Sequence, residues 1–489
     1  MDVMQRVDPA QFAATLKDVS TLEVPEAVFA RIRAARLHVD AKAAGAAPVY
    51  GLNTGLGGNL GHRIAPEDIP DFQQKLVDGR SVATGDTLPE ETGRAILLAR
   101  ILSASQGRSG LSEEVFSHMV AVFRSGIAPV VPEFGSIGAA DLTVMAVWAQ
   151  GLLGRGEVWS DGRVVAAADA LARAGLTAPV LQPKDALALI NNSAFSVARA
   201  ARALEHARRG LDMARTSALL SYAGYGASRE VLRADVNALR PASGQADAAA
   251  WLNRHLEGAE DRPRRVQEAL SFRLVATVTG AAETAISRAE EAWEDEANSG
   301  ADSPAVLDDG EMVSTAHFHA PSLALSLEGV SLAMAMVANG AVQRVQKLMT
   351  PELSGLPRYL SPIGGASAGM VPMQKTCASL QAEIRRHAMP VAFDPAPVSD
   401  TVEDMAAMTP LAAAKLLDQM RAFHLLAGAE AMAAAQALDM RAPGATSPSV
   451  AMVHDAIRAA VPTLQEDRPL GGDIGAAARA LSDAAAKLA

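Results

Sequence analysis

A tyrosine placed just before a glycine-rich turn is the first residue of this chain suited to chemistry. Tyr50 opens the run YGLNTGLG, Tyr50–Gly57. From such a turn a phenol projects into a cleft with backbone amides nearby, and it serves as a base once its anion is stabilised. A partly buried tyrosine with a bonded hydroxyl fits the same residues. Arg273 lies in the apolar stretch LSFRLVATV, where an unpaired guanidinium is costly. Its planar fork suits a carboxylate, either a ligand's or one inside the protein. Asn191, inside ALALINNSAF, can orient the same carboxylate or serve as a hydrogen-bonding group in a helix bundle. Lys375 and Glu383 stand eight residues apart in one helical stretch, roughly on one face. A lysine and a carboxylate reaching one pocket can hold a polar heteroaromatic ring; a solvated or salt-bridged lysine is the plainer alternative. His317 and His319 alternate as on a strand, but no further ligands cluster with them, so no metal site is expected. Gly55, Gly57, Gly58 and Gly61 do not fit G-x-G-x-x-G, and no Gly-Lys-Ser/Thr follows, which argues against a phosphate loop. Asp141 and Glu133 flank a turn at Gly138; helix capping is the expectation for Asp141, and negative charge offered to a cationic leaving group is the alternative.

These residues need a scaffold, and the composition describes one. The chain has 489 residues, 49% apolar and 20% charged, as in globular proteins with a large core. A net charge of −11, from 44 basic and 55 acidic residues, argues against a polyanionic partner such as nucleic acid. A single cysteine, Cys377, excludes an intrachain disulfide framework and a cysteine-rich zinc site. The opening MDVMQRVDPAQF lacks the pattern of a secretory signal, so a cytoplasmic protein is expected. Leu323–Val342 is apolar enough to suggest a bilayer span, yet it contains Ser326, Glu328, Ser331 and Asn339. The expectation is therefore a helix buried in a bundle or oligomer, not a membrane segment.

Glycine and proline cluster at Gly51–Gly61 and Pro129–Gly138, marking loops in a first lobe of turns and short helices, residues 1–183. Residues 184–489 are expected to form a bundle. Helix formers dominate Asp185–Leu219, Arg264–Asp295, Ser322–Met349, Met373–Ala388 and Leu411–Met440, with proline mainly between them. Short hairpins are expected at Glu157–Val165 and Val306–Val313. The fold class is mainly α, a long helical bundle with an N-terminal mixed lobe.

The segment Pro132–Glu157, PEFGSIGAADLTVMAVWAQGLLGRGE, resembles the core segment of the aromatic amino-acid ammonia-lyases, which runs approximately PxxGSxGASGDLAPLAH…GxGE. Further blocks follow in the family's order. YGLNTGLG is similar to YGxNTGFG; FQQKLVDGRSVATG (Phe72–Gly85) to LQxNLxxSHxxGxG; DALALINNS (Asp185–Ser193) to EGLALxNGT; VQEALSFR (Val266–Arg273) to VQDxYSxR. NSGADSPAV (Asn298–Val306), HFHAP (His317–Pro321) and LQAEIRRHAMP (Leu380–Pro390) are similar to NSxxDNPxx, NFHGE and LxSENxxxxHP. The resemblance implies the ammonia-lyase/fumarase-like helical bundle and a homotetramer whose active sites each draw on three chains. It also implies roles: Tyr50 as the base that removes the β-proton, and Arg273 with Asn191 on the substrate carboxylate. Asn53, Arg80, Phe318, Lys375 and Glu383 complete the expected substrate pocket. Arg80 stands where histidine ammonia-lyases carry a histidine, Lys375 where apolar residues are usual, and Leu270 where the family has a tyrosine.

One departure matters most. In the family an internal Ala-Ser-Gly cyclises into an electrophilic methylidene-imidazolone. Here Gly138 is followed by Ala139, Ala140 and Asp141, so the loop is one residue shorter and has no serine to cyclise. No cofactor is therefore expected. The electrophile bonds a substrate amine through its lone pair; a quaternary ammonium has none to offer and already departs as a neutral amine. A scaffold with base, clamp and ring pocket but no electrophile suits a betaine. Ergothioneine, the trimethylbetaine of 2-thiohistidine, fits the Lys375 and Arg80 changes best, giving trimethylamine and thiourocanate by 1,2-elimination. Phe318 or Phe134 would steady the ammonium by cation–π contact. The sulfur-free betaine hercynine, a catalytically inactive binding protein, and a conventional ammonia-lyase using another electrophile are the alternatives.

Overall fold

The computed structural model describes residues 1–45, 49, 51–55, 63–392, 397–441 and 444–488. Tyr50 lies outside the described residues. The protein is mainly helical, and its contacts divide it into two compact units that do not follow a single cut in the chain. The first comprises Met1–Ala203, Glu290–Leu325 and Pro390–Ala414; the second comprises Leu204–Ala289, Ser326–Met389 and Lys415–Ala489. Four of the five boundaries, after Ala203, Ala289, Leu325 and Ala414, fall inside long helices, and the fifth follows Met389; a helix of about 30 residues is some 45 Å long, enough to run through both units.

In the first unit, α1 (Glu26–Ala43), α2 (Ile69–Asp78), α3 (Glu90–Ser105), α4 (Leu142–Leu152) and α5 (Asp185–Ile190) form the framework. Helix α3 is longer than the short helices expected of this lobe. It is buried at every position from Ala95 to Ser105, so tertiary burial rather than an amphipathic stripe sustains it. Helices α2, α4 and α5 pack on one another. Strands β1 (Thr84–Thr87) and β3 (Pro132–Phe134) pair antiparallel, and β2 (Ala128–Pro129) joins the expected hairpin β4–β5 (Glu157–Ser160, Arg163–Ala166). The second expected hairpin is present as β6–β7, Ala305–Val306 with Met312–Val313.

The long helices arise where expected, with two interruptions. The stretch 185–219 divides into α5 and α6 (Ala194–Tyr225). Asn192 makes the break: its Nδ2 donates to the carbonyls of Ala188 and Leu189, and its Oδ1 accepts from Ala194 N at 3.0 Å. This side-chain competition for backbone groups is the reason asparagine interrupts helices. The stretch 264–295 becomes a short helix α7 (Leu270–Arg273) and a long α8 (Val275–Ala297), with residues 264–269 outside helix.

Helices α9 (Pro321–Leu348), α10 (Met373–His387) and α11 (Thr409–Met440) follow along the chain. By length and composition α9 is long and apolar enough to cross a membrane, and half of its most apolar window is buried within the chain. Two of its charges are buried and paired in the second unit: Glu328 with Lys415 of α11, and Arg344 with Glu430 of α11.

Candidate functional site

The shortened loop is the best-defined part of the site. Gly138 has φ +75°, and a Cβ there would come within 2.9 Å of Thr409 N. Ile137 accepts a hydrogen bond from Met408 N at 2.9 Å, so residues 137–138 are pressed against the start of α11. Ala140 (φ +68°) and Asp141 (φ +37°) follow in the left-handed region. Non-glycine residues there cost on the order of 1 kcal/mol or more each, so neighbouring structure must impose the conformation. It does so from two sides. Ala140 N donates to Phe318 O at 3.3 Å, and Ala139 bridges to His319. Asp141 Oδ1 accepts from Ser136 Oγ at 2.5 Å and Ser196 Oγ at 3.0 Å, while Oδ2 accepts from Ser196 N at 2.7 Å.

Asp141 therefore corrects the sequence reading. It precedes α4 but makes no side-chain cap bond to that helix, because its carboxylate is spent on Ser136 and Ser196. It is 1% exposed, and burial pushes its pKa up to about 6, against the pull of those hydrogen bonds and the charge of Arg199. The residues present at 139–141 do not fit the family's prosthetic group: the serine is missing, and the alanine nearest its place is tied through its N–H to Phe318.

Asn191 closes α5, and this helix is anchored at its start by a buried carboxylate. Asp185 accepts from Ser112 N and Oγ, both at 2.7 Å, and from Gln182 N at 2.8 Å. Burial raises its pKa to about 6. The preceding Lys184 is fully buried and donates to Ser109 O; burial lowers its pKa to about 8. At the other end, Asn191 Nδ2 donates to Ser303 O at 2.8 Å. The neighbouring Asp302 is forked by Arg100 of α3 at 2.8 and 3.2 Å, with both side chains almost fully buried. The blocks DALALINNS and NSGADSPAV, 112 residues apart at that bond, are thus brought together. Asn53 is buried and accepts from Val49 N at 2.8 Å, bracing the turn that follows Tyr50. Arg80 is half-buried after α2 and donates to Leu76 O at 3.4 Å. Phe318 is half-buried beside the loop, whereas Phe134 is 60% exposed on β3.

Arg273, Leu270, Lys375 and Glu383, also singled out in the sequence, lie in the second unit. Arg273, half-buried at the end of α7, donates to Gln267 Oε1 over a long 3.4 Å. Leu270, at the family's tyrosine position, is 60% exposed. Lys375 and Glu383 both lie on α10, as expected, but Lys375 is exposed on the side away from the buried Met373 and Cys377. Glu383 is held by Arg386 at 2.6 and 3.1 Å and by His387 at 3.0 Å on its own helix. Those partners, Arg386 foremost, keep its pKa at about 2. Among the described residues no group of three or more His, Cys, Asp or Glu is arranged to hold a metal ion. The sequence reading missed Tyr222 and Arg344, whose side chains donate to the Phe272 and Ser271 carbonyls beside Arg273; no local motif announces them.

A model of the aromatic amino acid lyase family matches residues 7–459. Among solved structures, the chain resembles the ergothioneine-degrading enzyme ergothionase from Treponema denticola, with 28% identity, TM-score 0.95, and coverage of 100% of this chain and 99% of that one. Histidine ammonia-lyase from Trypanosoma cruzi is 28% identical, with TM-score 0.91 over 99% and 93% of the two chains. Tyrosine aminomutase from Streptomyces globisporus is 26% identical, with TM-score 0.94 over 100% and 98%.

Proposed function

This chain belongs to the aromatic amino acid lyase family, and from that premise we propose that it is a carbon–nitrogen lyase that eliminates trimethylamine from ergothioneine without a methylidene-imidazolone. The observation that carries this reading is the loop Gly138–Asp141: the family's scaffold is retained, but the residues that would cyclise are absent. The likeness to ergothionase supports the choice of substrate.

In the proposed reaction Arg273 and Asn191 hold the substrate carboxylate, and Lys375 and Glu383 grip the thioimidazole. The phenolate of Tyr50 takes the β-proton. The electrons of that C–H bond form the new C=C bond, those of the C–N bond leave with nitrogen, and trimethylamine departs neutral. Thiourocanate remains, and the proton on Tyr50 is afterwards lost to solvent or to the amine. Charge balances without any acid on the leaving group, since the nitrogen begins as a quaternary cation. Asp141 keeps the adjoining loop rigid. We further propose a homotetramer with composite sites. The apolar side chains Leu325, Leu332 and Met336, 53–66% exposed on α9, support burial against other copies.

The test is direct. Purified protein is incubated separately with ergothioneine, hercynine and L-histidine while trimethylamine and ammonia are assayed. Trimethylamine from ergothioneine, faster than from hercynine, is the expected result. Faster release from hercynine would move the specificity, binding without product would indicate an inactive relative, and ammonia from histidine would overturn the electrophile-free mechanism.

A further inference from the structure

Arg273 sits at the end of α7, a helix of only four residues, and a long flexible side chain on a short turn is a poor clamp unless its backbone is held. The second unit holds it from behind. Tyr222 of α6 donates its hydroxyl to Phe272 O at 2.5 Å, and the Tyr225 ring stacks on Phe272 with centroids 4.2 Å apart at 25°. Arg344 of α9 donates through Nη1 to Ser271 O at 3.1 Å. Its other two nitrogens fork onto Glu430 of α11, Nε at 2.5 Å and Nη2 at 3.0 Å. Glu430 also accepts the hydroxyls of Ser217 and Ser221 at 2.9 and 2.8 Å. Arg344 is 4% exposed and Glu430 fully buried.

Stability alone does not account for such a pair, since apolar residues of similar volume commonly replace buried ion pairs at no cost. What the pair does provide is geometry. Each of Arg344's three nitrogens has a separate acceptor, and one of them is the carbonyl two residues before Arg273. A lysine could meet Glu430 but could not also reach Ser271 O with the same rigid fork. We propose that Arg344, oriented by Glu430, is a positioning residue for Arg273: it sets the register of the 271–273 turn so that the clamp meets a substrate carboxylate in bidentate geometry. The inference rests on the reading of Arg273 given above. Bidentate recognition tolerates errors of only about 0.5 Å, so a loosened turn should weaken carboxylate binding selectively.

Two variants separate this role from a structural one: Arg344→Lys, and the doubly apolar Arg344→Met with Glu430→Leu, which leaves no unpaired buried charge. Both are first checked by circular dichroism melts. The readouts are KM for ergothioneine and the competitive inhibition constant of its decarboxylated counterpart, which keeps the ring and the trimethylammonium but lacks the carboxylate. We expect KM to rise about tenfold while the inhibition constant changes by less than about twofold, and the KM effect to vanish in an Arg273→Ala background. Equal weakening of both ligands, an unchanged KM in a folded variant, or an effect that persists without Arg273 would overturn the proposal. Loss of fold in both variants would also overturn it, by making the pair a stability element. If the native protein neither turns over nor binds either compound, the substrate reading fails first and this inference falls with it.

Discussion

Asp141 shows how a single side chain can hold a strained backbone. Its φ of +37° persists because three hydrogen bonds from Ser136 and Ser196 fix the carboxylate. That burial has a measurable cost. An aspartate titrates at about 4 when unfolded and at about 6 here. The folded state therefore binds the proton more tightly between those values, and stability falls as pH rises from about 4 to about 6. The difference is on the order of 3 kcal/mol. Asp141→Asn should remove this contribution: urea midpoints of wild type and variant, measured across that interval, should converge or cross as pH rises. Parallel curves would show that Asp141 does not titrate there. Tyr50 bears the second prediction at this scale. Tyr50→Phe should lower turnover by about 10²–10⁴-fold, the usual contribution of a general base, while equilibrium binding of ergothioneine stays within about twofold. Full activity in that variant would remove Tyr50 from the mechanism.

At the scale of elements, α5 and the 301–304 turn are positioned by buried charge. Arg100 on α3 forks Asp302, and Ser303 next to it takes the Asn191 amide. Arg100→Met removes the fork on buried Asp302 and leaves only the charge of the neighbouring Lys184 to offset it, which should cost up to about 3–5 kcal/mol. The loss should appear as a lowered denaturant midpoint with little change in slope. Any residual folded enzyme should show a raised KM, because Asn191 has lost its anchor. An unchanged midpoint would mean that Asp302 finds another partner. Helix positions were largely legible from the sequence because proline and glycine punctuate them and alanine and leucine fill them. The breaks at 191–193 and 274 were not, since each depends on a side chain or a neighbouring helix satisfying backbone groups. Helix α3 was hidden for a related reason: buried all round, it has no polar face to mark its period.

At the scale of the molecule, the apolar positions Leu325, Leu332 and Met336 lie seven and four residues apart along α9 and remain exposed in the single chain. The proposed tetramer would cover them. Leu332→Glu should therefore shift the sedimentation or light-scattering mass downward and reduce activity in parallel, because sites built from several chains do not survive separation. A monomeric wild type with full activity would rule the tetramer out. The net charge of −11 adds weak repulsion between copies, so salt should favour assembly slightly.

Residue identity and order sufficed for the family, the helical class and the loss of the family's Ala-Ser-Gly, because each depends on which residues are present and in what order. A loop without a serine cannot cyclise whatever surrounds it. Which side chains brace these positions depends instead on the packing of distant elements. Asp141 turned from a helix cap into the anchor of a strained loop, Glu383 became engaged by Arg386 and His387 of its own helix, and Arg344 reached Arg273's turn from 73 residues away from Ser271. Such contacts are set by how helices pack, and helix packing brings together residues that no local spacing relates.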